Sequence, residues 1–588
     1  MENNNENKKI IARIENLARQ RKHILSLPSE KALNSILNSA QSPALVHSFS
    51  EEDFYFLIHD IGLEDSHPLL YLASDKQWEY IVDIEVWGKD RIELESLTRW
   101  FDLLFKVDPN RFIKWSLDQQ TEFMEYYLFK NIEVKVREFD QDPSELGDAF
   151  FTFDDIFYIR FIDEPFEDVP EGDESRETYK KHRDAFLSKF FKTLADHDHI
   201  IYQNVLLKSS RVIPAEVEEQ AYRLRNVRLA EKGFLPYEEA VGIYQAMKVD
   251  DLKKQAFKFI SKDPDRKLFF PVPLAHVGIL EKENYFTAAL KRIEMDEALE
   301  QIQTEFAGLC NQIVSADQKT IRERNELKGI VEKACGYLNI GLEKLTEETG
   351  QRDTNRCAAL IQNYPLSSIF RVGFGLALDL KWRSERWLKK SWFNSKGLLL
   401  SFWGEERMGV LGGLLIKKPL FYDNYRTGEL YREFISMNDI EETGNILDEI
   451  IAFDELFSLI SIQPDPVANG FLTYKSFLLT LWARHYLGLS DRLLPLTLDE
   501  FKRFFEDLWA DKNRPRKTSI SMKESFLGWL SGKTGLSHDE ISLKLGQSLE
   551  NLFNEIESEY GKVCIEDLDP RYVHLFLINI QKGGQNHE

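Results

Sequence analysis

Three short segments near the start of the chain share one arrangement of apolar and polar positions. PSEKALNSIL, FSEEDFYFLI and ASDKQWEYIV each carry a serine (Ser29, Ser50, Ser74), a large apolar side chain four residues later (Leu33, Phe54, Trp78), and apolar pairs at seven and eight (Ile36/Leu37, Leu57/Ile58, Ile81/Val82). Positions four, seven and eight fall on one face of an α-helix, and a serine at its start can accept from the first free backbone N–H groups. The pattern therefore predicts short helices capped by Ser29, Ser50 and Ser74, with Gln77 completing a capping box on Ser74. Recurrence after 21 and 24 residues predicts helix pairs that stack as a superhelical or solenoid-like array.

The period changes between residues 131 and 162. Ile132, Val134 and Val136 alternate with Glu133, Lys135 and Arg137, and IFYIRFI (156–162) is rich in β-formers, so a small hairpin or sheet is expected there, with Asp140, Pro143 and Gly147 in the connection. Helical periodicity resumes over 176–196, 213–232 and 236–248. A Pro-rich connection, SKDPDRKLFFPVPLAH (261–276), is the strongest boundary signal. Beyond it Leu299, Ile302, Phe306, Leu309 and Ile313 recur every three or four residues, and a second periodic stretch over 320–346 predicts the other arm of a helical hairpin. GQRD (350–353) punctuates the pattern, a helix over 353–392 follows, and loops are expected at QPDPVANG (463–470) and DKNRPRKT (511–518). Thr497/Glu500 and Ser537/Glu540 have capping-box spacing.

The fold class expected is mainly α, multi-domain, with a helical-repeat or superhelical architecture and a small β element around 131–162. Its divisions are 1–128 (short-helix repeats), 129–175 (acidic β element and loop), 176–262 (helical), 263–281 (Pro-rich linker), 282–352 (helical hairpin) and 353–588 (C-terminal helical domain).

Composition sharpens this picture. The 588 residues allow about three or four compact units. With 43% hydrophobic and 29% charged side chains, and with 41 Phe and 11 Trp, the chain has the material for packed cores and is not a mainly disordered polymer. No uninterrupted apolar run reaches the roughly 18 residues a membrane helix needs, and no secretory leader pattern opens the sequence. Cys310, Cys335, Cys357 and Cys564 lie far apart with no CxxC spacing, which suggests reduced thiols in a cytoplasmic protein. A formal charge of −23 disfavours a protein that coats nucleic acid. The segment from Glu138 to Glu174 alone holds 14 acidic residues against one basic, Arg160.

A resemblance enters with the serine-capped helices: residues 25–128 resemble the short-helix superhelical repeats of the cytoplasmic N-terminal domain of bacterial magnesium transporters. No metal ligand carries over with it, and the transporter's membrane domain has no counterpart. The chain as a whole, through GFLPYEEAVGIYQ (233–245) and LSFWGEERMGVLGGLL (400–415), resembles an uncharacterised bacterial family of unknown function. That resemblance implies a soluble bacterial protein and no particular activity.

The candidate chemistry is sparse. In SFWGEERMGVLGGLLIKKPLFYD (401–423), Gly404 and Gly409 have half of a phosphate-loop spacing, but Val410 and Leu411 stand where Lys and Ser or Thr are required, and Glu405 and Glu406 would repel a phosphate. The glycines are better explained by close approach of Leu411, Leu414 and Leu415 to a neighbouring element. GWLSGKTG (528–535) has the wrong glycine spacing, and a glycine helix stop before a Ser537 cap explains it. DHDH (196–199) offers His197 and His199, and the acidic segment offers Asp140 and Asp142, as weak metal ligands; Glu145 stands where an EF-hand loop needs glycine. KWRSERWLKKSWFNSK (381–396) has six basic side chains against one acid, so Lys381, Arg383, Arg386, Lys389 and Lys390 are weak anion-binding candidates. Its tryptophans, Trp382, Trp387 and Trp392, step about 140° around a helix and cannot form one stacking platform; they are expected to pack inward. GFG (373–375) lacks the rest of a dinucleotide fingerprint.

These features favour a cytoplasmic helical scaffold or adaptor that works by protein–protein contact, with no cofactor. Two alternatives stand beside it: a metal-dependent enzyme with a site assembled across domains around Asp140 and Asp142, and anion or RNA binding through 381–396.

Overall fold

The structure is a computed structural model, and it describes residues 27–88, 90–163, 174–210, 213–253, 283–293, 296–347, 353–460, 472–511 and 513–579, with scattered positions between 13 and 25. Among these residues the chain is mainly α-helical with three small antiparallel sheets. It divides into two compact units: the first comprises 1–245, 253–335 and 352–369, and the second 246–252, 336–351 and 370–588. The Pro-rich connection at 261–276 and the loop at 463–470 lie outside the described residues.

In the first unit the serine pattern yields helices Ser29–Leu37, Glu51–Ile61 and Asp75–Glu85. Ser50 accepts from Asp53 N, and Ser74 accepts from Gln77 N while Gln77 reaches back to Ser74 N, completing the expected box. Ser29 does not cap: it is already the first helical residue, and the N-cap position is held by Pro28, whose side chain has no acceptor to offer. Short helices Ser42–His47 and His67–Leu72 stand between the three. Contacts alternate along the chain, with Ser29–Leu37 on Glu51–Ile61 and that helix on Asp75–Glu85. In the same way Ser42–His47 meets His67–Leu72, and His67–Leu72 meets Leu94–Val107. The core is aromatic: Trp78 meets Trp115 edge-on at 5.6 Å, and Phe101, Phe105, Phe112, Phe186 and Phe190 interlock around it. Each such ring, fully buried, contributes about 1.5–3 kcal/mol.

The expected β element is a three-stranded sheet of order β3–β5–β4, built from β3 (Ile132–Val136), β4 (Phe151–Thr152) and β5 (Phe157–Phe161); β1 (Trp87–Gly88) and β2 (Arg91–Ile92) form a separate hairpin. Ile132 pairs with Phe161 and Val136 with Phe157. β4 is too short for an alternation signal to reveal it. Helix Glu174–His197 follows, then His199–Ser209, a helix additional to those expected, and Pro214–Glu231. The stretch expected as one helix at 236–248 is a turn of α-helix (Tyr237–Ala240), a 3₁₀ turn (Val241–Tyr244) and extended backbone. Helices Asp296–Asp317 and Arg324–Glu347 form over the two expected periodic stretches, with Ile302, Phe306, Leu309 and Ile313 buried.

The helix expected over 353–392 is three: Thr354–Asn363, Leu366–Lys390 and Trp392–Ser395. Pro365 forces the first break because its ring disfavours the helical conformation of the preceding residue. In the second unit, helix Glu405–Leu415 lies against the hairpin of β6 (Phe421–Tyr422) and β7 (Tyr431–Arg432). The reason is legible at its glycines. A methyl group on Gly409 would enter the Tyr422 ring, and one on Gly413 would stand 2.5 Å from the Leu420 carbonyl oxygen. Leu411 and Leu414 are fully buried, as the close-approach reading requires. Helix Ile520–Thr534 stops at Gly535, which has left-handed φ of 75°, and the boxes at Thr497/Glu500 and Ser537/Glu540 form as expected.

Candidate functional site

The DHDH run is a junction between two helices. His197 ends one; Asp198 caps the next by accepting from Ile200 N at 2.9 Å and Ile201 N at 3.0 Å; His199 opens it, half-exposed, with Nε2 at 3.9 Å from Asp154 Oδ2. Asp142 caps the single 3₁₀ turn Pro143–Leu146, where the Ser144 backbone N–H, then its hydroxyl, holds the carboxyl below its ordinary range. Asp140 stands exposed in the same loop. These four side chains are not brought together, and among the described residues no group of three or more His, Cys, Asp or Glu side chains gathers as a metal site would.

The basic stretch at 381–396 is engaged along much of its length. Lys381 donates to the Ile416 carbonyl at 2.7 Å and pairs with Glu385 at 2.7 Å; Arg383 pairs with Asp448; Arg386 donates to the Trp382 carbonyl at 3.1 Å. Lys389 and Lys390 are exposed at the helix end. Trp387 and Trp392 pack inward as expected, but Trp382 is 42% exposed. The buried pair converge on a residue that motif reasoning passed over. Asp454 accepts from Trp387 Nε1 at 3.1 Å, Trp392 N at 3.2 Å and Phe393 N at 2.8 Å. Burial pushes its carboxyl above the ordinary range despite these donors.

The strongest polar cluster of the first unit surrounds Glu85, whose side chain is wholly buried. Oε1 accepts from Tyr55 hydroxyl at 2.6 Å and Arg322 Nε at 3.1 Å; Oε2 accepts from Arg322 at 3.1 Å, Arg99 at 3.3 Å and Trp100 Nε1 at 3.3 Å. His59 Nε2 lies 3.4 Å from Oε1. Burial alone would raise the carboxyl, but the His59 ring beside it and the Tyr55 and Arg322 donors outweigh it and hold it at about 2. A carboxylate so tightly engaged makes a poor base, and it fastens helices Glu51–Ile61, Asp75–Glu85 and Leu94–Val107 to the turn before Arg324. Glu85 had a sequence signal: it follows Trp78, Ile81 and Val82 on the buried stripe, where a charge demands partners.

One open pocket, of about 500 Å³, lies between the β3–β5–β4 sheet and helix Glu174–His197. The sheet side supplies Ala149, Phe151, Phe153, Arg160, Phe161 and Asp163. Lys180, Asp184 and Ser188, spaced four apart and so stacked on one helical stripe, form the facing wall. Phe151 meets Phe161 at 5.1 Å and Phe153 at 5.7 Å between ring centres. Lys180 pairs with Asp163 at 2.5 Å, Arg160 with Glu133, and Arg183 with Asp184 at 2.7 Å. Behind the sheet, Gln203 donates to Asp154 Oδ2 at 2.9 Å and ties it to helix His199–Ser209. Phe151, Phe153 and the 180/184/188 stripe were not singled out from sequence, because only the tertiary fold brings them together.

No helix among the described residues is long and apolar enough to cross a membrane. No curated protein and no solved structure matches the chain, so the likeness of residues 25–128 to the magnesium-transporter repeats rests on the helix pattern alone. The family match, by contrast, runs over residues 8–579, through both units, and the chain therefore belongs to the family of unknown function DUF6178.

Proposed function

We propose that this chain is a helical scaffold that acts by protein–protein contact, its N-terminal helices stacked as a short superhelical array. The observation that carries the reading is the concentration of large apolar side chains left open to solvent between Ile200 and Val241. Ile200 is 72% exposed, Ile213 56% and Val227 60%, with Ile201, Leu207, Leu224, Leu235 and Val241 beside them in sequence. Helices His199–Ser209 and Pro214–Glu231 both rest on Thr121–Asn131, so these side chains belong to neighbouring parts of one unit. Single exposed apolar residues are ordinary, whereas a concentration of them marks a contact surface. The alternating helix contacts at the N-terminus support the stacked arrangement, and the burial of Cys310 and Cys335 as thiols suits a bacterial cytoplasm.

The test is affinity capture after cross-linking in the native cell, comparing wild type with the double variant Ile200→Glu/Val227→Glu. Both positions are exposed, so circular dichroism should not change. Loss of a specific co-purifying protein from the variant supports the reading. Equal recovery by both chains, or a wild type that always emerges alone and monomeric, refutes it.

A further inference from the structure

Helix Pro214–Glu231 is turned the opposite way from an ordinary surface helix. It meets its own unit largely through polar groups. Glu218 accepts from the Tyr126 hydroxyl at 3.2 Å and from Ile92 N at 2.9 Å, Arg225 donates to the Asp83 carbonyl at 2.7 Å, and Arg228 donates to both Asp83 carboxylate oxygens at 2.7 Å. Of its apolar side chains only Ala221 and Leu229 are buried. The large aliphatics left over are in register. Ile213 at the N-cap, Val217, Gln220, Leu224 and Val227 are spaced four, three, four and three, the a/d spacing of a seam that pairs with another helix. Ile213, Leu224 and Val227 are exposed and Val217 is half-buried, so the seam is open to solvent.

Heptad spacing makes the occupant a helix, and the flanking charges decide which helix. Glu216 and Arg223 are both exposed, and each precedes a seam residue by one position, so they flank the seam on the same side. Arg223 pairs with Glu219 one turn earlier, an exposed bond worth little. A parallel copy of the helix would set Arg223 beside the partner's Arg228, like against like. An antiparallel copy sets Glu216 against the partner's Arg223 and, by two-fold symmetry, Arg223 against the partner's Glu216. The same alignment lays Ile213 on the partner's Leu224, again twice. We propose that two copies of this chain associate as an antiparallel, two-fold dimer through the seam of helix Pro214–Glu231. This deepens the scaffold reading by naming a second copy as the occupant of part of its contact surface, and it rests on that reading in taking the exposed aliphatics as such a surface.

The experiment is sedimentation velocity of the full chain from about 1 to about 300 µM, at about 0.15 M salt to screen the net charge. Wild type should pass from monomer to dimer across that range. Leu224→Glu, at an exposed position, should weaken association at least about tenfold without changing circular dichroism. Glu216→Arg and Arg223→Glu should each weaken self-association about tenfold, because each makes both flanking pairs repulsive. An equimolar mixture of those two single variants should dimerise about as well as wild type, since each supplies the charge the other lacks. The proposal is overturned by a wild type that stays monomeric throughout, by a dimer indifferent to Leu224→Glu, or by charge variants that associate no better mixed than alone. A monomeric wild type whose captured protein is still lost in Ile200→Glu/Val227→Glu removes the self-pairing and leaves the scaffold reading standing.

Discussion

Replacing Glu85 by glutamine tests the polar cluster that joins four parts of the first unit. Glutamine keeps the shape of the side chain and one acceptor oxygen, but it removes the charge that faces Arg322 and Arg99 and turns its other end into a donor pointed at donors. Two routes give the size of the effect. The carboxyl falls from its ordinary 4.5 to about 2 in the folded chain, a difference worth about 3 kcal/mol at neutral pH. Independently, removing one partner of a buried ion pair costs about 3–5 kcal/mol, because the remaining charge loses its counter-ion without regaining water. The arginines here are half-exposed, at 48% each, so the lower end of that range applies. Both routes converge on about 3 kcal/mol, or more than a hundredfold in the opening equilibrium.

Because the chain has two compact units, a single melting curve would mix their transitions. Hydrogen exchange with peptide resolution separates them. Slow amides within 51–61, 75–85 and 94–107 should exchange about a hundredfold faster in Glu85→Gln, while peptides from 437–459 and 474–486 keep wild-type rates. The sign against pH follows from the depressed carboxyl. The stabilisation is complete above the unfolded value of 4.5 and disappears as pH falls toward 2, so the difference between wild type and Glu85→Gln should shrink over that window. A change below threefold at neutral pH, or one spread equally over both units, would refute the reasoning.

Two further expectations concern the second unit. Asp454 has a raised carboxyl, so the folded state favours its protonated form; its contribution is complete below the unfolded value of 3.8 and is lost as pH rises through the higher folded value, opposite in sign to Glu85. Comparison of Asp454→Asn with wild type by exchange in peptides covering 387–403 should show that pH slope removed, and Asp454→Ala should cost about 2–3 kcal/mol by stranding buried donors at Trp387, Trp392 and Phe393. Gly409→Ala should lower stability by about 1–3 kcal/mol through overlap with Tyr422, read as faster amide exchange in peptides covering 405–415, and Tyr422→Leu in the same chain should recover part of it; unchanged exchange there would remove close approach as the reason for the glycine.

What the sequence made legible is what short-range physics determines. Ser74 with Gln77, Thr497 with Glu500 and Ser537 with Glu540 cap their helices because donor and acceptor lie within one turn, and no distant residue is needed. Ile132, Val134 and Val136 declare a strand by alternation. Local signals mislead where two of them compete. At Ser29 the helix begins one residue earlier than the serine pattern implies, with Pro28 in the cap position, and at Pro365 a helical periodicity continues straight across a residue that cannot continue a helix. Chemistry fared worse than fold because the runs that resemble motifs, DHDH and KWRSERWLKK, are consumed by capping and by ion pairs, while the residues that gather polar contacts come from afar: Arg322 reaches Glu85 across 237 positions.

The two buried carboxylates share a trace that motif searches do not look for. Glu85 follows Trp78, Ile81 and Val82 on an apolar stripe, and Asp454 follows Leu447 and Ile450 on another, each where helix geometry expects a greasy side chain. A charge in such a register is costly unless donors converge on it. Its presence therefore implies, before any coordinates, that other segments must deliver those donors. At Glu85 the donors include arginines, and the carboxyl drops; at Asp454 they are neutral N–H groups alone, and burial wins. The same residue type at the same kind of position thus acquires opposite titration behaviour from the charge of what surrounds it. In both cases the carboxylate holds helices together: Glu85 joins three helices and the turn at Arg322, and Asp454 joins its own helix to Trp387, Trp392 and Phe393.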